Sequence, residues 1–106
     1  MSCQEAIDQR YFYLQLHYTE LMNKCTNSAQ QNAIATQFTE AEACREEALD
    51  KTFNEGAAAV AATRESLRQN TASLEQQMEQ DEQIVVVLGT LTAGGQLAQT
   101  LVGFGQ

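Results

Sequence analysis

Apolar residues in the first quarter of the chain recur at alternating spacings of four and three. Ile7, Tyr11, Leu14, Tyr18, Leu21 and Cys25 form this series, with Cys3 four residues before it. That is the seam of a helix packed on another helix. Gln4, Asp8, Gln15 and Glu20 occupy the opposite, solvated side. The pattern predicts a helix from about residue 3 to about residue 25.

Residues 26–32, Thr-Asn-Ser-Ala-Gln-Gln-Asn, read as a turn, because Asn and Ser side chains compete with helix by bonding the local backbone. Helix restarts either at Ser28 or at Thr39, whose spacing to Glu42 suits a capping box. Beyond it Phe38, Ala41, Cys44, Ala48, Phe53, Ala57 and Val60 lie at helical spacings, and Leu67, Thr71, Leu74 and Met78 continue the series. Glu47 and Lys51 add a favourable i,i+4 pair. The reading favours one long helix over about 33–82, with a break near Gly56 as the alternative. Residues 1–82 would then be an acidic amphipathic helical hairpin.

Residues 83–106 differ from everything before them. All 6 basic and 14 acidic side chains lie in residues 1–82, and none follows. Residues 84–104 are long enough for a membrane span but are diluted by Gln96, Gln99 and three Thr, and lack flanking Lys or Arg. Gly89 with Ala93, and Gly94 with Ala98, are small-residue pairs that let helices approach closely; Leu97 and Leu101 lie beside them. Three structures fit this segment: a buried core helix, a helix facing copies of itself or a membrane, and a strand followed by a Gly-rich turn. The second is favoured, because one shared seam between two helices offers little to cover a third. The fold expected is all-α: a helical hairpin with a coiled-coil-like seam, then an apolar Gly-rich C-terminal helix.

Composition narrows the role. Hydrophobic residues are 43% and charged residues 19%, so a packed core is affordable, and the absence of proline suits long helices. A net charge of −8 argues against a nucleic-acid partner, whose binding needs Lys and Arg. No secretory leader pattern is read at the N-terminus. The localisation expected is membrane-associated or secreted and assembled, rather than free in the cytosol.

Candidate chemistry is thin. Gly89-x-x-x-x-Gly94 resembles a phosphate loop, but Gly95 and Gln96 stand where Lys and Ser or Thr are required. His17, the only histidine, borders the seam and reads as a boundary residue. Glu42, Glu46 and Asp50 line one helix face without a histidine at metal-ligand spacing, so they read as a solvated acidic face able to orient a basic partner. Cys25 and Cys44 could staple the hairpin if residues 26–38 are the connection. A helix starting at Ser28 would instead carry Cys44 about 20 Å away. No catalytic residue, metal site or cofactor is expected. The function expected is a non-enzymatic assembly protein, its C-terminal helix packing with copies of itself in or against a membrane. The alternative is a small soluble acidic protein that docks a basic protein.

Overall fold

A computed structural model describes all 106 residues and contains five helices and no strand. They are α1 (Cys3–Leu16), α2 (Tyr18–Lys24), α3 (Ser28–Leu49), α4 (Ala58–Glu79) and α5 (Ile84–Gly103). The chain is thus all-α, with an apolar C-terminal helix. Ser2 starts α1 with a capping box: its hydroxyl accepts from the Glu5 amide at 3.1 Å, and the Glu5 carboxylate accepts from the Ser2 amide at 2.9 Å.

The first predicted helix is divided at His17, where φ −106° and ψ 14° interrupt the helical geometry for one residue. The same face stays inward across the kink. Ile7, Tyr11, Leu14 and Leu21 are buried, and Tyr18 is half-buried against Phe38. α1 and α2 fold back on α3 as a hairpin, as the seam requires. The connection is shorter than residues 26–32, and α3 begins at Ser28, the earlier of the two expected starts, rather than near 33 or at Thr39, because the Asn27 side chain caps it and accepts from the Gln30 amide at 2.9 Å. That early start also rules out the Cys25–Cys44 staple. Cys44 lies roughly 24 Å along the helix, and all three cysteines are free thiols.

The larger correction concerns residues 33–82, which form two helices instead of one. A continuous helix of that length would extend about 75 Å at 1.5 Å per residue, whereas the longest dimension of the molecule is 41 Å. Breaking at Asp50–Ala57 lets α4 and α5 lie back along the first hairpin and bury both seams. The link is held locally. Thr52 and Gln106 exchange both backbone hydrogen bonds at 2.9 Å, and Lys51 Nζ donates to the Val102 carbonyl at 3.1 Å.

The result is a four-helix bundle in which α1–α2 and α3 form one antiparallel hairpin and α4 and α5 form the other. α3 also neighbours α5, and α1 neighbours α4. The core has two apolar halves. Near the α3–α4 link, Cys3, Ala6, Ile7, Ala48, Val60, Leu67, Leu101 and Val102 pack together. At the other end Tyr11, Leu14, Leu21, Ile34, Leu74, Ile84, Val87 and Leu91 do so.

α5 is a core helix of this bundle. Gly94, Ala98 and Leu101 face its interior and Leu97 is half-buried, so these four do not form the exposed contact stripe expected of them. Gly89 and Ala93 do face outward. The strand alternative for Ile84–Leu88 is also excluded, since these residues open α5.

The two glycine types make opposite predictions. A Cβ at Gly94 would overlap the Asn70 side-chain oxygen and approach Arg10 Nε to 3.0 Å, whereas one at Gly89 meets nothing within 4 Å. Gly94→Leu should therefore lower unfolding free energy by about 1–3 kcal/mol or more through overpacking. Gly89→Ala should raise it by about 0.5–1 kcal/mol through helix propensity. Urea denaturation followed by circular dichroism checks both.

Candidate functional site

Between the two apolar halves lies a polar layer built around Arg10, which is only 2% exposed. Its position follows from α1 itself: Arg10 lies three residues after Ile7 and four before Leu14, so it occupies a seam position. Its Nη2 donates to Gln37 Oε1 and to the Leu91 carbonyl, both at 3.0 Å. Asn70 Nδ2 donates to the Thr90 carbonyl at 3.0 Å, and the Thr71 hydroxyl donates to the Leu67 carbonyl at 3.2 Å. Gly94 and Gly95 give this layer its room, because a Cβ at Gly95 would come within 2.6 Å of Gln37 Oε1.

No carboxylate reaches Arg10, and its Nε and Nη1 have no partner. Burial pushes the guanidinium down to about 10, against weaker upward pulls from Cys44 and Glu40, so it remains charged at neutral pH. An uncompensated buried cation is costly. The layer is nonetheless closely packed.

A second polar feature caps the start of α1 from the α3–α4 link. The Glu55 carboxylate accepts from the Cys3 amide at 3.1 Å, from the Cys3 thiol at 3.0 Å and from Arg64 Nη1 at 2.8 Å. Burial, aided by Glu55, pushes the Cys3 thiol up to about 11, which keeps it protonated and weakly nucleophilic. Burial alone would raise Glu55, but the bonds from Cys3 and Arg64 outweigh it and hold the carboxyl below its ordinary value.

The surface divides by charge. α1 to α4 carry the charged side chains on their outward faces, whereas the outward face of α5 carries none. Val86, Gly89, Ala93, Gln96, Thr100 and Gly103 are exposed and spaced three and four apart, which makes a second helix-packing seam on the side away from the core. Val85 is 67% exposed alongside it. Glu42 and Glu46 lie exposed on α3, and Asp50 lies exposed just past its end. Only Glu42 is engaged, accepting from the Tyr11 hydroxyl at 3.3 Å. His17 is half-buried, pairs with Glu20 at 3.2 Å and stacks against Tyr13. It borders a shallow cleft with Glu20, Glu75 and Glu79, but nowhere do three His, Cys, Asp or Glu side chains converge as metal ligands would.

The chain matches no protein-family model, no curated protein and no solved structure. Its geometry therefore has to speak for its role. The molecule presents a polar layer around the buried Arg10 and a charge-free outer face on α5.

Sequence reasoning missed Arg10, although its signal was available in the spacing to Ile7 and Leu14. It also placed the small residues of α5 in one stripe, when they divide between two faces.

Two tests follow from these contacts. Arg10→Met should leave stability unchanged or raise it by about 1–2 kcal/mol, since an apolar isostere avoids burying a charge. Gln37→Leu should lower it by about 1–3 kcal/mol by taking a partner from the buried cation. Equilibrium urea unfolding separates the two, and a marked loss in Arg10→Met would show that the guanidinium is net favourable. The Glu55 capping contact predicts a pH effect. A carboxyl whose folded pKa is depressed contributes stability that is present above the unfolded pKa and lost as pH falls through the folded one. The melting temperature should decline on acidification from about pH 6 to about pH 3, and Glu55→Gln should flatten that decline.

Proposed function

We propose that this is a non-enzymatic assembly protein that associates with a second copy of itself through the outward face of α5. The observation that carries the reading is the charge-free seam from Val86 to Gly103 on a molecule of net charge −8. A solvent-facing helix side normally carries charged residues, and every other helix here obeys that rule. Gly89 and Ala93 let a partner helix approach closely, while Gln96 and Thr100 can hydrogen-bond across the contact. The face is one helix wide and about 30 Å long at 1.5 Å per residue.

α5 is also long and apolar enough to cross a bilayer. Membrane insertion would require it to leave the bundle and expose Leu91, Leu101 and Val102. The acidic face of Glu42, Glu46 and Asp50 supports a second reading, in which the protein docks a basic protein through α3.

Salt dependence distinguishes the readings. Two copies of charge −8 repel each other, so added NaCl should strengthen self-association, whereas it should weaken docking to a basic partner. Light scattering at about 50 and about 500 mM NaCl measures this directly. Ala93→Arg should abolish the dimer without changing helicity. Unchanged dimer mass in Ala93→Arg, or a chain that is monomeric at every concentration, would overturn the proposal. Co-sedimentation with lipid vesicles would transfer the role of α5 to a membrane.

A further inference from the structure

Residues 50–57 join the two hairpins and carry a conflict between local pattern and observed conformation. Phe53, Ala57 and Val60 stand at helical spacings that run on into α4, Glu47 pairs with Lys51 at 3.1 Å and no proline intervenes, although the five residues from Ala48 to Phe53 break the seam. The observed link is open, yet its one glycine is not there for backbone strain. Gly56 has no positive φ, and a Cβ on it would meet nothing within 4 Å. Neither a proline nor a left-handed backbone position therefore bars helix across the link.

The interface between the hairpins is suited to parting. Arg10 and Gln37 belong to the first hairpin, and Asn70 and Thr90 to the second, so each hairpin keeps its own polar pair when they separate. Only the Arg10 bond to the Leu91 carbonyl is lost from the layer, and the unpartnered Nε and Nη1 gain water. One buried cation therefore lowers the cost of the open state.

We propose that the two hairpins exchange between two copies of the chain. Residues 50–57 straighten so that α3 and α4 run as one helix, and the α4–α5 hairpin of each copy packs on the α1–α3 hairpin of the other. α3 and α4 run antiparallel in the bundle, which is the arrangement that a straightened link between two copies rebuilds. Every core contact of the monomer is remade across the dimer. The exchange loses the Thr52–Gln106 backbone pair and the Glu55 contacts with Cys3 and Arg64, and gains helical bonds through the link. This inference rests on self-association but not on the outer face of α5.

The test uses a native contact between the hairpins. Lys24 Nζ lies 2.6 Å from Asp81 Oδ1, the first on α2 and the second in the α4–α5 turn. A carbodiimide joins such a pair covalently. In an exchanged dimer the bond links two chains; in the monomer, or in a dimer formed through the α5 outer face, it stays within one. Mass spectrometry on dimers refolded together from isotopically light and heavy chains reads the difference. Gly56→Ala should shift the dimer dissociation constant down about tenfold or more, because two links gain helix propensity. Asn54→Pro, at an amide that donates to no protein acceptor, should abolish the exchanged dimer while leaving the monomer folded. Mixed light–heavy Lys24–Asp81 peptides in the Gly56→Ala dimer are the expected result. Cross-links confined to single chains, or a dimer fraction unmoved by Gly56→Ala, would overturn the inference. An unchanged dimer in Ala93→Arg with mixed cross-links retained in Gly56→Ala would reject only the outer-face reading.

Discussion

Eight residues of α5, from Ile84 to Val102, must be packed away from water, and the positions of the other helices follow from that requirement. The hairpin of α1, α2 and α3 has one seam, too narrow to cover a second apolar helix. α4 supplies the missing wall only if the chain turns back after Asp50. The turn costs the helical bonds of residues 50–57 and gains burial for Val60, Leu67, Leu74 and most of one side of α5. Burying a large apolar side chain contributes about 1.5–3 kcal/mol, and a helical hydrogen bond lost to water much less, so the turn wins.

Packing α5 this closely has a consequence at mid-height. The core there is not apolar: Arg10 stands at a seam position, and Gly94 and Gly95 are the residues that let α5 approach it. A side chain at either glycine would collide with the layer, and a shorter residue at position 10 would leave space beside it. The cation and the glycines are therefore complementary, and the layer separates two well-packed apolar halves. Such a layer specifies register, because sliding α5 by one turn would set the guanidinium against apolar side chains.

Much of the fold was legible in the chain. The seam of Ile7, Tyr11, Leu14 and Leu21 and the apolar run after Gln83 identified helices that the structure contains. The Asn27 cap was hidden because Asn, Ser and Thr neighbours all offer the same local signal. The break at Asp50–Ala57 was legible only as the alternative near Gly56, since one glycine is a weak signal and burial by distant residues decides whether the chain turns there. The polar layer escaped because Arg on a helix usually reaches solvent along its own stem, and only the neighbouring helices decide otherwise.

By itself the sequence determined that the protein is helical, that its first 82 residues bear all the charge, and that its last helix has none. These follow from short-range periodicity and from side-chain chemistry, which need no knowledge of neighbours. Only the tertiary structure decided which side of α5 meets the core, that Gly94 and Ala98 lie inside while Gly89 and Ala93 lie outside, and that Arg10 is buried. Periodicity shows that a helix has faces, but the partner that covers each face is set by contacts between residues far apart in the chain.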